Sequence, residues 1–178
     1  LHQEDFAQAL GVPSNRKYAA EGGPTFRDSF ALLRGAATRP AREVLKLADA
    51  AIFNLILGNA DAHAKNFSLL RNENGEVVLS PLYDLVATHV WEELSPRLAM
   101  RFGGAGMLED VNGTTFARFA EEAGLAPPYV RRQCQTMARA VQAAIGKGID
   151  VLGISDQARV AQPATSIAER AGRLELKR

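Results

Sequence analysis

The segment from Pro40 to Leu57 constrains this chain more than any other. Val44, Leu45, Leu47, Ala48, Ala51, Ile52, Leu55 and Ile56 recur at the spacings of an α-helix. Pro40 suits the first turn, where its missing N–H costs nothing, and Gly58 suits the stop. The apolar positions cover far more than a single stripe, so the helix must be packed on several sides. A central helix follows, with the other elements laid around it, and whatever comes after Gly58 is mounted on a rigid end.

What comes after is GNADAHAKNFS, Gly58 to Ser68, in which Asp61, His63, Lys65 and Asn66 fall close together. Two β-prone runs follow, Phe67 to Leu70 and Glu76 to Leu79, with Gly75 at the turn between them. They predict a hairpin that returns the chain to the polar loop and delivers Ser80-Pro81-Leu82-Tyr83-Asp84-Leu85 beside it.

The remaining segments read as follows. His2 to Leu10 is expected to be a short helix stopped by Gly11 and Pro13, with His2, Gln3, Glu4 and Asp5 serving its cap and dipole. Val12 to Pro24 reads as a loop, and Thr25 as the cap of a helix reaching Arg34, with Phe26, Phe30 and Leu33 on the core. Leu98 to Phe102 is extended, and Gly103-Gly104-Ala105-Gly106 is expected to be a flexible turn. Thr114 or Thr115 caps a helix to Ala123, Pro127-Pro128 opens a long helix to about Ile145, and a last one runs from Ala161 to Arg173. The fold class is mainly α, with one or two small β-hairpins, in one unit over residues 1–178.

Charge narrows the partners. The chain carries 21 Lys and Arg against 20 Asp and Glu, a net charge of +1, so no global field draws it to nucleic acid or to a membrane. Direct nucleic-acid binding is not expected, and Arg131, Arg132 and Arg139 read as a solvated helix face. No apolar run is long enough to span a bilayer. Cys134 is the one cysteine, which excludes an internal disulfide and fits a reducing cytoplasm; four residues after Val130, it reads as core. His2, His63 and His89 lack zinc-ligand spacing. Trp91 is compatible with packing or with an interface.

Phosphoryl transfer from ATP asks little covalent chemistry of a protein. One carboxylate must orient the accepting hydroxyl and take its proton, and two oxygen ligands must hold Mg²⁺ against the phosphates. In protein kinases the base aspartate and a metal-binding asparagine lie five residues apart on one loop, and a second aspartate follows a hairpin. Asp61, Asn66 and Asp84 reproduce that order. Lys65 or His63 could screen charge on the transferred group. Each residue also has a plainer reading: Asp61 as part of a polar turn, Asn66 bonded to local backbone, His63 ordering the loop, Lys65 as a solvated charge.

The wider wording is more specific. Asn59-x-Asp61-x-His63-x-Lys65-Asn66-Phe67-Ser68, followed by Leu79-Ser80-Pro81-x-Tyr83-Asp84, resembles the catalytic and metal-binding loops of HipA-like serine/threonine kinases, toxin components of bacterial toxin–antitoxin pairs. His2-Gln3-Glu4-Asp5-Phe6, Gln8-Ala9-Leu10-Gly11, Lys17-Tyr18 and Gly22-Gly23-Pro24 resemble the segment opening that family's helical lobe. The resemblance implies a kinase-like C-terminal lobe using ATP and Mg²⁺. In it Asp61 is the base, Asn66 and Asp84 are the metal ligands, and His63 and Lys65 neighbour the phosphates or the base.

It also implies a protein substrate, with relatives that act on an aminoacyl-tRNA synthetase pointing to a translation-linked target, and a DNA-binding antitoxin as partner. The smaller N-terminal lobe, with its phosphate-covering loop, ATP-pairing lysine and regulatory serine, is not found in these residues. The chain alone is therefore expected to be inactive and to bind ATP poorly. Two other functions stay open. A small-molecule phosphotransferase of the aminoglycoside-kinase kind shares the Asp-to-Asn spacing but usually has histidine where Asn59 stands, and a non-catalytic helical partner-binding module is the other.

Overall fold

The computed structural model describes residues 1–13, 16, 18–150 and 153–176. The expected central helix, α3 (Pro40–Leu57), contacts α2 (Phe26–Ala36), α5 (Pro127–Asp150), α6 (Ile154–Leu176) and a strand of the first sheet. Leu47, Ile52 and Ile56 are fully buried along it, with Val44 and Leu55 nearly so. Gly58 ends it in the left-handed conformation, φ 73°, where a Cβ would be strained, and the Asn59 N–H closes onto the Asn54 carbonyl at 2.9 Å.

A layer of phenylalanines joins the helices on one side. Phe119 of α4 (Gly113–Ala123) stacks on Phe102 with ring centroids 4.0 Å apart, and meets Phe26 and Phe30 of α2 edge-on at 5.4 and 5.6 Å. Such contacts add about 0.5–1.5 kcal/mol each to the area they bury.

The expected hairpin is present as β2 (Ser68–Arg71) and β3 (Val77–Leu79), and it gains a third strand. Residues His2–Asp5 are extended, not helical. As β1 they pair antiparallel with β2, His2 opposite Arg71 and Asp5 opposite Ser68. Only the four residues Phe6–Ala9 (α1) form a helix there. The pairing partner lies more than sixty positions away, so local pattern could not reveal it. Asp5 does serve as the cap, accepting from the Gln8 N–H at 2.8 Å while the Gln8 side chain accepts from the Asp5 N–H.

Glu43, fully buried on α3, ties the sheet to the central helix. It accepts from the Leu79 N–H at 3.0 Å and from the Lys46 ammonium at 2.9 Å.

Other boundaries shift for identifiable reasons. The loop before α2 includes a 3-10 turn, Ala19–Glu21. Asn112, not Thr114 or Thr115, caps α4, accepting from both of their N–H groups, and Thr115 Oγ1 accepts from the Asn112 N–H in return. Gly103-Gly104 links β4 (Arg97–Phe102) to β5 (Ala105–Met107) and is pinned rather than flexible: a Cβ on Gly103 would lie 1.8 Å from the Thr115 carbonyl oxygen.

The last helix, α6, begins before Ala161 and runs through Pro163. Packing along α5, with Ala171 and Leu174 buried, offsets the hydrogen bond that proline cannot make. Cys134 is buried in α5, Arg131 and Arg132 are exposed, and Arg139 bonds Glu175 at 2.6 Å. Lys17 lies outside the described residues. No helix of the described residues is long and apolar enough to cross a membrane.

Candidate active site

The loop after α3 is held from below before any of its polar side chains reaches solvent. The Gly58 carbonyl accepts from the His89 N–H and from Thr88 Oγ1, both at 3.1 Å, and Thr88 Oγ1 accepts from the Ala60 N–H at 2.8 Å. The Ala60 carbonyl takes the Ala99 N–H at 2.8 Å. The segment around Thr88 and the strand β4 therefore clamp the loop from two sides. His89 extends the clamp to α6, its Nε2 lying 2.8 Å from Ser166 Oγ. Burial, then the nearby Arg170 guanidinium, hold the His89 imidazole below its ordinary pKa.

Asn59 links the two halves of the site. Nearly buried, it donates to Asn54 Oδ1 at 2.8 Å and to the Asp84 carbonyl at 3.2 Å, and its Oδ1 accepts from the Asp61 N–H at 3.1 Å. One amide thus fixes the backbones of Asp61 and Asp84 relative to each other, although they stand far apart in sequence.

Asp61 presents its carboxylate at the surface, with its side chain 47% exposed. His63 is buried beside it, Nε2 lying 3.9 Å from Asp61 Oδ2, and its ring meets Tyr18 edge-on at 6.2 Å. The 3-10 turn Ala64–Asn66 follows, with Lys65 half-buried. Asn66 is 5% exposed; its Oδ1 accepts from the His63 N–H at 3.3 Å and its Nδ2 donates to Asp84 Oδ2.

Asp84 is the one non-glycine with positive φ among the described residues, at 55°. That conformation costs on the order of 1–2 kcal/mol for a residue with a Cβ. Here it accompanies the Asp84 carboxylate's turn onto Asn66. Tyr83 fastens the same segment, donating to the Lys65 carbonyl at 2.7 Å and lying 2.6 Å from Ser68 Oγ, which in turn accepts from Gln3 Nε2 at 3.1 Å.

The structure therefore joins Asn66 to Asp84 and sets His63 beside Asp61, with Asn59 tying the two backbones together and Lys65 between them on the loop. Other residues complete the site: Asn54 and Thr88, which no motif contained, and Asn59, Ser68, Tyr83 and Gln3, which stood in the quoted wording without an assigned role. A partial signal existed in Asn54 and Asn59, polar residues on or just beyond the buried face of an apolar helix.

The donor set suits a hard divalent cation. Asp84 offers an exposed carboxylate, and the buried Asn66 amide meets it through Nδ2 while its Oδ1 takes the His63 N–H, so presenting its oxygen to a cation would require the amide to turn over; no three His, Cys, Asp or Glu side chains gather into a cage among the described residues. Magnesium keeps several waters and takes one or two protein ligands plus phosphate oxygens, which is the share available here.

Comparison with known proteins adds to this geometry. The model of the HipA-like C-terminal domain matches residues 1–145. Y4mE of Sinorhizobium fredii, a kinase by name, is 48% identical over 173 residues, covering 96% of this chain and 41% of that protein. The serine/threonine-protein kinase toxin HipA of Shewanella oneidensis is 31% identical over 167 residues, covering 88% of this chain and 38% of that one.

A solved structure of the Shewanella oneidensis toxin–antitoxin system, HipA with HipB and operator DNA, contains a chain that superimposes with a TM-score of 0.87 at 28% identity. The match covers 97% of this chain and 43% of that one. The chain thus spans about two fifths of the length of the curated relatives it matches. With the family model matched over most of its length and a mainly helical fold that superimposes on HipA, this chain belongs to the HipA-like C-terminal domain family.

Proposed function

We propose that this chain is the catalytic lobe of a HipA-like serine/threonine kinase, which transfers the γ-phosphoryl group of ATP to a protein hydroxyl. The observation that carries the reading is the meeting of Asn66 with Asp84, delivered by the hairpin, on the same loop as the exposed Asp61.

In this reading the acceptor oxygen bonds to the γ-phosphorus as the bond to the β–γ bridging oxygen breaks, ADP departs, and the acceptor proton passes to the Asp61 carboxylate. Mg²⁺, held by Asp84 and Asn66, would neutralise phosphate charge. His63 positions Asp61, and Lys65 is assigned to charge screening beside the phosphates. Asn59 keeps the base and the metal ligand in register.

Leu82, Leu85 and Val86 lie exposed around Asp84. They suit a surface that a nucleotide-binding lobe covers, and such a lobe is assigned to the part of the longer relatives that this chain does not span. A HipB-like, DNA-binding antitoxin is the expected regulatory partner, and a component of translation the expected protein target.

The test fuses this chain to the part of Y4mE it does not cover and follows labelled phosphate from ATP to protein and to small alcohols. Asp61→Asn and Asp84→Asn should each lower transfer by about 10²-fold or more. Transfer that survives both substitutions would sink the assignment, and transfer to small alcohols alone would favour a small-molecule phosphotransferase.

A further inference from the structure

Beside Asp61 lies a cavity of about 410 Å³ whose walls come from three separate stretches of the chain. Tyr18 and Glu21 form one side, Asp61 and Ala60 the second, and Leu94, Arg97 and Leu98 the third. No role described above uses it.

Its floor is apolar in effect as well as in composition. Ala60 and Leu98 are buried. The polar groups at the bottom are already committed: Thr88 Oγ1 to the Ala60 N–H and the Gly58 carbonyl, and the Ala60 carbonyl to the Ala99 N–H. A polar side chain reaching Ala60 and Leu98 would lose its water without gaining a partner there, since Glu21, Asp61, Ser95 and Arg97 belong to the other walls, whereas an aliphatic one would lose nothing.

Leu94 extends the apolar wall outward, and it is 47% exposed, a large side chain with little covering it. Besides Asp61 itself, the rim carries one acid, Glu21, and one base, Arg97, both exposed. With Asp61 engaged as the base, Glu21 and Arg97 offset each other. They do match an extended peptide backbone, whose N–H groups can donate to a carboxylate and whose carbonyls can accept from a guanidinium. A polycationic sugar would instead call for a cluster of carboxylates.

We infer that this cavity is the acceptor subsite of the kinase: it takes the aliphatic side chain of a residue neighbouring the serine or threonine that Asp61 activates, within an extended protein segment. The inference rests on Asp61 being the base, and it adds the class of sequence the enzyme selects. Placing the hydroxyl at Asp61 leaves the adjoining side chains one strand step of about 3.4 Å away, within reach of the cavity mouth.

The experiment uses the fused kinase described above and short synthetic peptides, identical except for the residue beside a single central serine: leucine, glycine, lysine or glutamate. Leucine should exceed glycine by at least about tenfold in kcat/KM, the scale of discrimination an apolar pocket achieves, with lysine and glutamate lower still. Leu94→Asp should erase the leucine preference, chiefly by raising KM, while its circular dichroism and melting temperature match the parent protein.

A preference for lysine or glutamate, equal use of all four, or an undiminished leucine preference in Leu94→Asp would each overturn the subsite. Equal use of all four peptides with transfer still dependent on Asp61 would leave the kinase reading standing. Absence of Asp61-dependent transfer to any protein or peptide would remove both.

Discussion

Replacing Gly58, the buried residue that ends α3, by alanine should damage this protein more than the loss of a helix stop alone would suggest. Two costs combine. At φ 73° a Cβ is strained, worth about 1 kcal/mol for a single residue. The added carbon would also sit 2.1 Å from His89 Nδ1 and 2.5 Å from its Cγ, far inside contact distance.

The His89 ring cannot simply swing away. Its Nε2 is engaged with Ser166, and the backbone N–H of His89 is bonded to the Gly58 carbonyl, which holds the residue in place. Moving it gives up the first bond and weakens the second, at about 1 kcal/mol each, so the total should reach about 3 kcal/mol. Gly75 is the control, since at φ 83° it has nothing within 4 Å of the position a Cβ would take. Gly75→Ala should cost only about 1 kcal/mol.

Urea unfolding, with the slope checked for constancy, measures both variants. In a His89→Ala background the Gly58→Ala cost should fall back toward that of Gly75→Ala, because the obstructing ring is gone. If Gly58→Ala costs no more than Gly75→Ala in the parent protein, the argument that His89 braces the loop is refuted.

Other substitutions probe the same framework. Asn59→Ala leaves the Asp61 N–H and Asn54 Oδ1 without these partners and should cost about 2–3 kcal/mol in urea unfolding; in the fused kinase it should lower kcat more than it raises KM for ATP. Glu43→Ala strips the buried Leu79 N–H and the Lys46 ammonium of their acceptor and should cost about 3 kcal/mol, and Lys46→Ala, which leaves the buried Glu43 carboxylate with the Leu79 N–H but no countercharge, should cost about 1–3 kcal/mol by the same measurement.

Acid should weaken the His89 clamp. Burial and Arg170 hold the folded imidazole below 6.5, so the unfolded chain takes up its proton first. The stability contribution is complete above pH 6.5 and is lost as pH falls from there through the lower folded value. Unfolding midpoints across that range should decline in the parent and decline less in His89→Gln.

How much of this was legible in the sequence depended on distance along the chain. The central helix and its glycine stop were readable because helical periodicity and the left-handed cap are local. The hairpin was readable because its partners are near neighbours with a glycine turn between them. Asp61, Asn66 and Asp84 stood out as candidates by order and wording, since a loop and a hairpin restrict where the next residues can go. What local pattern misjudged was what a remote partner decides. His2–Asp5 became a strand because β2 offered an edge, and α6 continued through Pro163 because α5 lay alongside.

By itself, then, the sequence determined the helical frame and the polar groups offered for chemistry. Only the tertiary structure decided that Asn66 meets Asp84, that Asn59 locks Asp61 to the segment carrying Asp84, and that Thr88 and His89 brace the loop from beneath. The physical reason is that hydrogen bonds between residues far apart in sequence leave no periodicity to read. Their geometry exists only once the buried core has set the distances between the elements that carry them.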